Sequence, residues 1–137
     1  MENYDFLAIG DAVVDDFIKL TDAEAYCDLD QENCKLCVRF GDKVPYDSHE
    51  LVYAVGNSPN AAVSAARLGA KTALMAVVGN DTYGEKCLES LKANNVATEF
   101  VQKDPSLPTN YQYVLWYPPE RTILIKHAQY ARTLPAN

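Results

Sequence analysis

The sequence predicts an α/β fold organised on a parallel sheet covered on both faces. Three observations between Gly56 and Gly84 carry that prediction. The first is a bounded helix: Ser58 offers an N-cap, Pro59 a first helical residue that loses nothing by lacking an N–H, and Gly69 a left-handed stop. Its Ala61, Ala62, Val63, Ala65, Ala66 and Leu68 are apolar on almost every side, so it is expected to lie buried, close against a sheet. The second is the continuous apolar run Thr72 to Val78, which suits a parallel strand with both faces covered. The third is Gly79-Asn80-Asp81, which turns the chain into a second helix where Thr82-Tyr83-Gly84-Glu85 fits a capping box.

Taken from the N-terminus, Phe6-Leu7-Ala8-Ile9 reads as a central strand broken by Gly10, and its exit carries Asp11, Asp15 and Asp16. Ligands of open α/β sheets bind at such carboxyl ends. An ionised carboxylate can hold two neighbouring hydroxyl donors, whereas the plainer reading is a solvated acidic turn. Alternation along an extended exit sends Asp16 to the face opposite Asp15. Thr21 to Glu50 is polar and the least regular segment; within it Leu36 to Phe40 reads as a strand, and Leu51 to Val55 as a strand delivering the Gly56 loop. After the second helix, halted near Asn94-Asn95, Val96 to Val101 reads as a strand, with a turn between Pro105 and Pro108. Tyr111, Tyr113, Leu115 and Tyr117 alternate with Gln112, Val114 and Trp116, and the chain returns through Pro118-Pro119-Glu120 along Arg121 to Tyr130, a hairpin. Its aromatic side chains suit sheet packing or a dimer face better than a nucleobase platform. Thr133 to Asn137 reads as an extended polar tail.

With 137 residues, 48% of them hydrophobic, the chain suffices for one compact core, and a single domain over 1–137 is expected. Twelve basic against nineteen acidic side chains give a net charge of −7 with no basic cluster, which argues against nucleic acid as a partner. No apolar run approaches the roughly 20 residues that span a bilayer, and the MENYDF start is acidic where a signal peptide is basic, so no membrane association and a cytoplasmic location are expected. Cys34 and Cys37 have the two-residue gap of metal ribbons, but no second pair exists; zinc would need Cys27 and a distant ligand such as His49. Reduced, unligated thiols are the expectation, with Cys87 facing the core beside Leu88 and Leu91.

The pairing of GNSPNAAVSAARLGA with VVGNDTYGE resembles the N-terminal half of the PfkB family of carbohydrate and nucleoside kinases. In that family a Gly-Gly-x-x-x-Asn loop opens the helix that ends in Arg-Leu-Gly, and the next strand ends in Gly-x-Asp-x-x-Gly. Here these read Val55-Gly56-Asn57-Ser58-Pro59-Asn60, Arg67-Leu68-Gly69 and Gly79-Asn80-Asp81-Thr82-Tyr83-Gly84, with Val55 departing from the pattern. IGDAVVDDF resembles the family's opening strand, and Glu120-Arg121-Thr122-Ile123 its later lid strands.

The resemblance implies the N-terminal part of a ribokinase-like, Rossmann-type three-layer sheet with a small projecting β-lid. On that reading the core is about 1–20 and 51–101, and the lid strands about 36–55 and 109–130. It implies transfer of the ATP γ-phosphoryl group to a hydroxyl of a sugar or nucleoside, with Asp15, Gly56, Asn57 and Asn60 as acceptor contacts. Gly56 permits close backbone approach, and the Asn60 amide offers a donor and an acceptor to vicinal hydroxyls. Val55 adds bulk beside the acceptor. The family's catalytic base, anion hole and magnesium-organising segment have no counterparts here, so ATP and Mg2+ belong to a longer parent protein. This chain is expected to bind neither and to be inactive alone. Family lids clasp one another in homodimers, and a sheet cut after its lid leaves an edge and an apolar face, so self-association is expected. Two other readings compete with this one: a non-catalytic polyol-binding or dimerisation module, and a small dinucleotide binder, whose glycine fingerprint is missing here.

Overall fold

The computed structural model describes residues 3–30 and 32–132, so the expected polar tail at 133–137 lies outside the described residues. Strands β1 (Phe6–Ile9), β6 (Thr72–Gly79) and β7 (Val96–Ala97) form a parallel sheet in the order β1-β6-β7, and β8 (Val101–Asp104) continues beside the exit half of β6. The single strand expected over Val96 to Val101 is thus broken in two, where the Val101 N–H donates to the carbonyl of Thr98. β6 is buried over nearly its whole length, as a continuous apolar run demands. Leu74, Ala76 and Val78 on one of its faces meet Ala8 of β1, Ala62 of α1 (Asn57–Arg67), and Cys87 and Leu91 of α2 (Thr82–Ala93). On the other face Leu7 and Ile9 stay exposed at 42% and 60%.

Helix α1 ends as expected, with Gly69 at φ 96° and the N–H of Ala70 reaching back to the carbonyl of Ala65. Its start and its surroundings differ from expectation. Gly56 is the N-cap, no side chain caps the helix, and Ser58 instead donates its hydroxyl to the carbonyl of Ile9, tying the helix to the exit of β1. Pro59 sits in the first turn and is buried with Ala62, while Ala61 and Leu68 are exposed, so one face of α1 is covered rather than all of it. Alanine all round a helix permits close packing on any side without demanding it. The second helix begins one residue earlier than a Thr82 cap implies: Asp81 is the N-cap, and its carboxylate accepts from the N–H of Gly84. A Cβ on Gly84 would lie 2.1 Å from the carbonyl oxygen of Gly79, so the Gly79–Gly84 turn closes on a position that admits no side chain.

A second sheet runs β10-β9-β2-β5, formed by β10 (Glu120–Leu124), β9 (Asn110–Tyr117), β2 (Val13–Leu20) and β5 (Tyr46–Val55). β2 is its centre, parallel to β9 and antiparallel to β5. Val13–Leu20 was expected with the parallel core; alternation of Asp15, Phe17 and Lys19 against Asp16, Ile18 and Leu20 instead gives it two usable faces and a place between two strands. The Tyr111 hairpin forms as expected, but β10 stops at Leu124. The following segment folds back over the start of β9, where the Ala128 N–H donates to Asn110 Oδ1 and the Tyr130 hydroxyl to the carbonyl of Pro108. The strand expected over Leu36 to Phe40 is only β4 (Lys35–Cys37), which pairs with β3 (Glu24–Tyr26) in a separate hairpin. Cys27 and Cys34 are joined by a disulfide in this hairpin, contrary to the expectation of reduced thiols; Cys37 is free, and Cys87 is free and buried beside Leu91.

Candidate functional site

The site is built where the second sheet meets the start of α1. β2 and β5 slip register between Val13 and Asp15, and Ala54 at the same place takes φ 56°, a β-bulge that swings the chain from β5 into the Gly56 turn. Gly56 itself has φ 127°, and a Cβ there would lie 2.9 Å from the backbone oxygen of Asp11. Only glycine lets these two segments approach so closely. They enclose a cleft of about 320 Å³ lined by Asp11, Asp15, Gly56, Asn57, Ser58 and Gln112, with Val13 and His127 at its sides.

Asp15 projects into this cleft from β2, in register with Gln112 on the neighbouring β9. Its Oδ1 is buried and has no hydrogen-bond partner, and burial pushes its pKa above the usual carboxylate range. Asp11 is satisfied differently: it pairs with Arg132, and the His127 Nδ1 lies 4.0 Å from its other oxygen. Asp16, one residue from Asp15, points to the opposite face of the sheet. It is only 8% exposed, accepting from the Tyr111 hydroxyl at 2.9 Å and lying 3.0 Å from His49 Nδ1. Burial and then the Asp16 carboxylate hold the Tyr111 phenol protonated far above its ordinary range.

Of the sequence-derived candidates, Asp15, Gly56 and Asn57 line one cleft, and Asn60 does not. Because α1 starts at Asn57, Asn60 stands nearly a full turn along the helix, about 4.5 Å further on. It is exposed, and its N–H closes the first helical hydrogen bond to Gly56. Val55 pairs with Val13 and is not among the residues lining the cleft. Gln112 and His127 were not singled out from the sequence. The signal for Gln112 was present: it is the one amide in the otherwise aromatic and aliphatic run Tyr111 to Tyr117.

The donor set suits a neutral, hydroxyl-rich ligand: an unpartnered carboxylate oxygen, two side-chain amides and a close-approach glycine. It does not suit a triphosphate. Two carboxylates line the cleft, the one cation paired at its edge, Arg132, is engaged by Asp11, and among the described residues no cluster of three or more His, Cys, Asp or Glu gathers to hold a metal.

Residues 15–136, which include both helices and the cleft lining apart from Asp11 and Val13, match the pfkB family carbohydrate kinase. The chain belongs to that family. Over 45 residues, 33% of this chain and 14% of the relative, it is 51% identical to the ribokinase of Mus musculus. It aligns with the structure of an uncharacterized sugar kinase from Pyrococcus horikoshii in complex with ATP at 26% identity and a TM-score of 0.64, covering 88% of this chain and 33% of that one. Arabidopsis thaliana ribokinase, solved with ribose and ATP, shares the fold with a TM-score of 0.71 at 17% identity, over 91% of this chain and 36% of that one. The chain therefore spans about a third of the length of these two solved kinases. Its α/β fold is the ribokinase-like one that the Gly56 and Gly79 loops implied, and the family is one of sugar kinases and thus of transferases. No helix among the described residues is long and apolar enough to cross a membrane.

Proposed function

We propose that this chain forms the acceptor-binding side of a PfkB-type kinase, in which the γ-phosphoryl group of ATP passes to a hydroxyl of a sugar or nucleoside. The observation that carries the reading is the buried, unpartnered Oδ1 of Asp15 in a cleft shared with Gly56, Asn57 and Gln112. A buried acceptor without a donor is costly, and a ligand hydroxyl relieves that cost by donating to it. In this reading Asp15 holds acceptor hydroxyls, Gly56 lets the sugar ring approach the backbone, and the amides of Asn57 and Gln112 orient the remaining hydroxyls. The second sheet serves as the lid over the acceptor, and ATP and Mg2+ are held by the part of the relatives' length that these residues do not span.

The 137 residues alone then bind the acceptor without transferring a phosphoryl group. A coupled assay for ADP formation from ATP with ribose, fructose or adenosine tests this: no turnover above a heat-killed control is expected, and turnover would overturn the division of labour. The exposed Leu7 and Ile9 on the uncovered sheet face further support self-association of this chain. Sedimentation showing a monomer at high concentration contradicts that part.

A further inference from the structure

On the opposite face of β9 from Gln112, a larger cavity of about 600 Å³ lies between the β9–β10 hairpin and the start of α2. This size falls within the roughly 300–1,000 Å³ of small-molecule sites. Three tyrosines form one wall. The rings of Tyr83 and Tyr111 lie 5.0 Å apart at 61°, and those of Tyr111 and Tyr113 5.2 Å apart at 58°. The Tyr111 ring is pinned at its hydroxyl by Asp16, so the row has a fixed member from which the half-exposed Tyr83 and Tyr113 extend. Leu124, the cross-strand partner of Tyr113 on β10, extends the same wall.

One charged group in this apolar setting lacks a partner. Lys126 lines the same cavity, is exposed, and makes no ion pair or hydrogen bond with the described residues. The other charged group there, Asp81, is engaged: its oxygens accept from the N–H of Gly84 and from both the N–H and the hydroxyl of Thr109.

We propose that this cavity is a second ligand site, separate from the acceptor cleft, for a flat aromatic ring carrying an anionic group. The ring packs against the Tyr83–Tyr111–Tyr113 row, and the anionic group pairs with Lys126. The site stands on its own residues, so it holds or fails independently of the kinase reading.

The test is an NMR titration of the 137-residue chain with indole-3-acetate and, separately, with uncharged indole. Saturable shifts are expected for both at the amides of Tyr83, Asn110 and Tyr113. Lys126→Gln should weaken indole-3-acetate about three- to fivefold while leaving indole unchanged, as expected for one solvent-exposed charge pair. Tyr113→Ala should weaken both, and Asp15→Ala neither. Tyr113 and Lys126 are exposed, and well-dispersed spectra confirm that each variant folds. Absence of saturable shifts, shifts confined to the Asp15 cleft, or an equal loss of both probes in Lys126→Gln would overturn the proposal.

Discussion

Asp15 and Asp16 are adjacent in sequence and have the same side chain, yet they serve opposite faces of one sheet under opposite conditions. On the back face Asp16 is saturated: Tyr111 donates to one oxygen and His49 meets the other, so a single carboxylate ties β2 to both of its neighbours, β9 and β5. On the front face Asp15 is buried with an oxygen that nothing in the chain satisfies. A polar group that the fold completes is structural, and one that the fold buries and leaves open is available to a ligand. The comparison assigns stability to the back face and recognition to the front, and each assignment can be broken separately.

The largest effect on folding is expected from the back face. Asp16→Ala orphans the Tyr111 hydroxyl inside the sheet and releases His49, so roughly 2–4 kcal/mol of stability should be lost, read as a lowered midpoint in urea. Next comes the hinge between the faces. Gly56→Ala forces a Cβ against the Asp11 carbonyl at φ 127° and should cost roughly 1–3 kcal/mol. It should also weaken sugar binding, because the cleft wall must move.

On the front face the sign reverses. Burial raises the pKa of Asp15, so the folded state holds its proton more tightly than the unfolded chain does. Its contribution therefore falls as pH rises from the unfolded value of 3.8 through the higher folded one, and it stays unfavourable above both. Asp15→Asn should be neutral or stabilising at pH 7 and should steepen the rise of stability with pH on the acid limb, because it removes a contribution that falls there. A clear destabilisation at neutral pH would mean that Asp15 is structural after all. The smallest effect is chemical. Burial pushes the Cys87 thiol up to about 11, so iodoacetamide acting on the folded, unreduced chain should alkylate Cys37 alone, as read by peptide mass, with Cys27 and Cys34 protected by their disulfide.

These contrasts also mark what could be read from the residues. The helix–strand–helix block from Gly56 to Gly84 was legible because glycines and a proline punctuate it and Thr72 to Val78 is apolar without interruption. The separation of Asp15 from Asp16 followed from the two-residue period of a strand. The centre of the second sheet was not legible, because Val13–Leu20 carries two carboxylates where a central strand is usually apolar, and their partners lie far away in sequence at His49 and Tyr111. Asn60 falls outside the cleft lining because Gly56 rather than Ser58 starts the helix, an outcome decided by a backbone angle and a tertiary bond from Ser58 to Ile9. The pairing of Cys27 with Cys34 depends on how an irregular polar segment folds back, which spacing alone does not determine.

The most direct test of the front-face assignment is an NMR titration of D-ribose into the wild-type chain and into Asp15→Ala, with thermal midpoints measured alongside. The account predicts saturable shifts at Asp15, Gly56, Asn57 and Gln112. In Asp15→Ala it predicts an affinity lowered about tenfold to a hundredfold, the worth of a charged hydrogen bond of roughly 1.5–3 kcal/mol, with the midpoint unchanged or raised. Equal affinity in the two proteins, or shifts that cluster instead on Asp16, His49 and Tyr111, would contradict it.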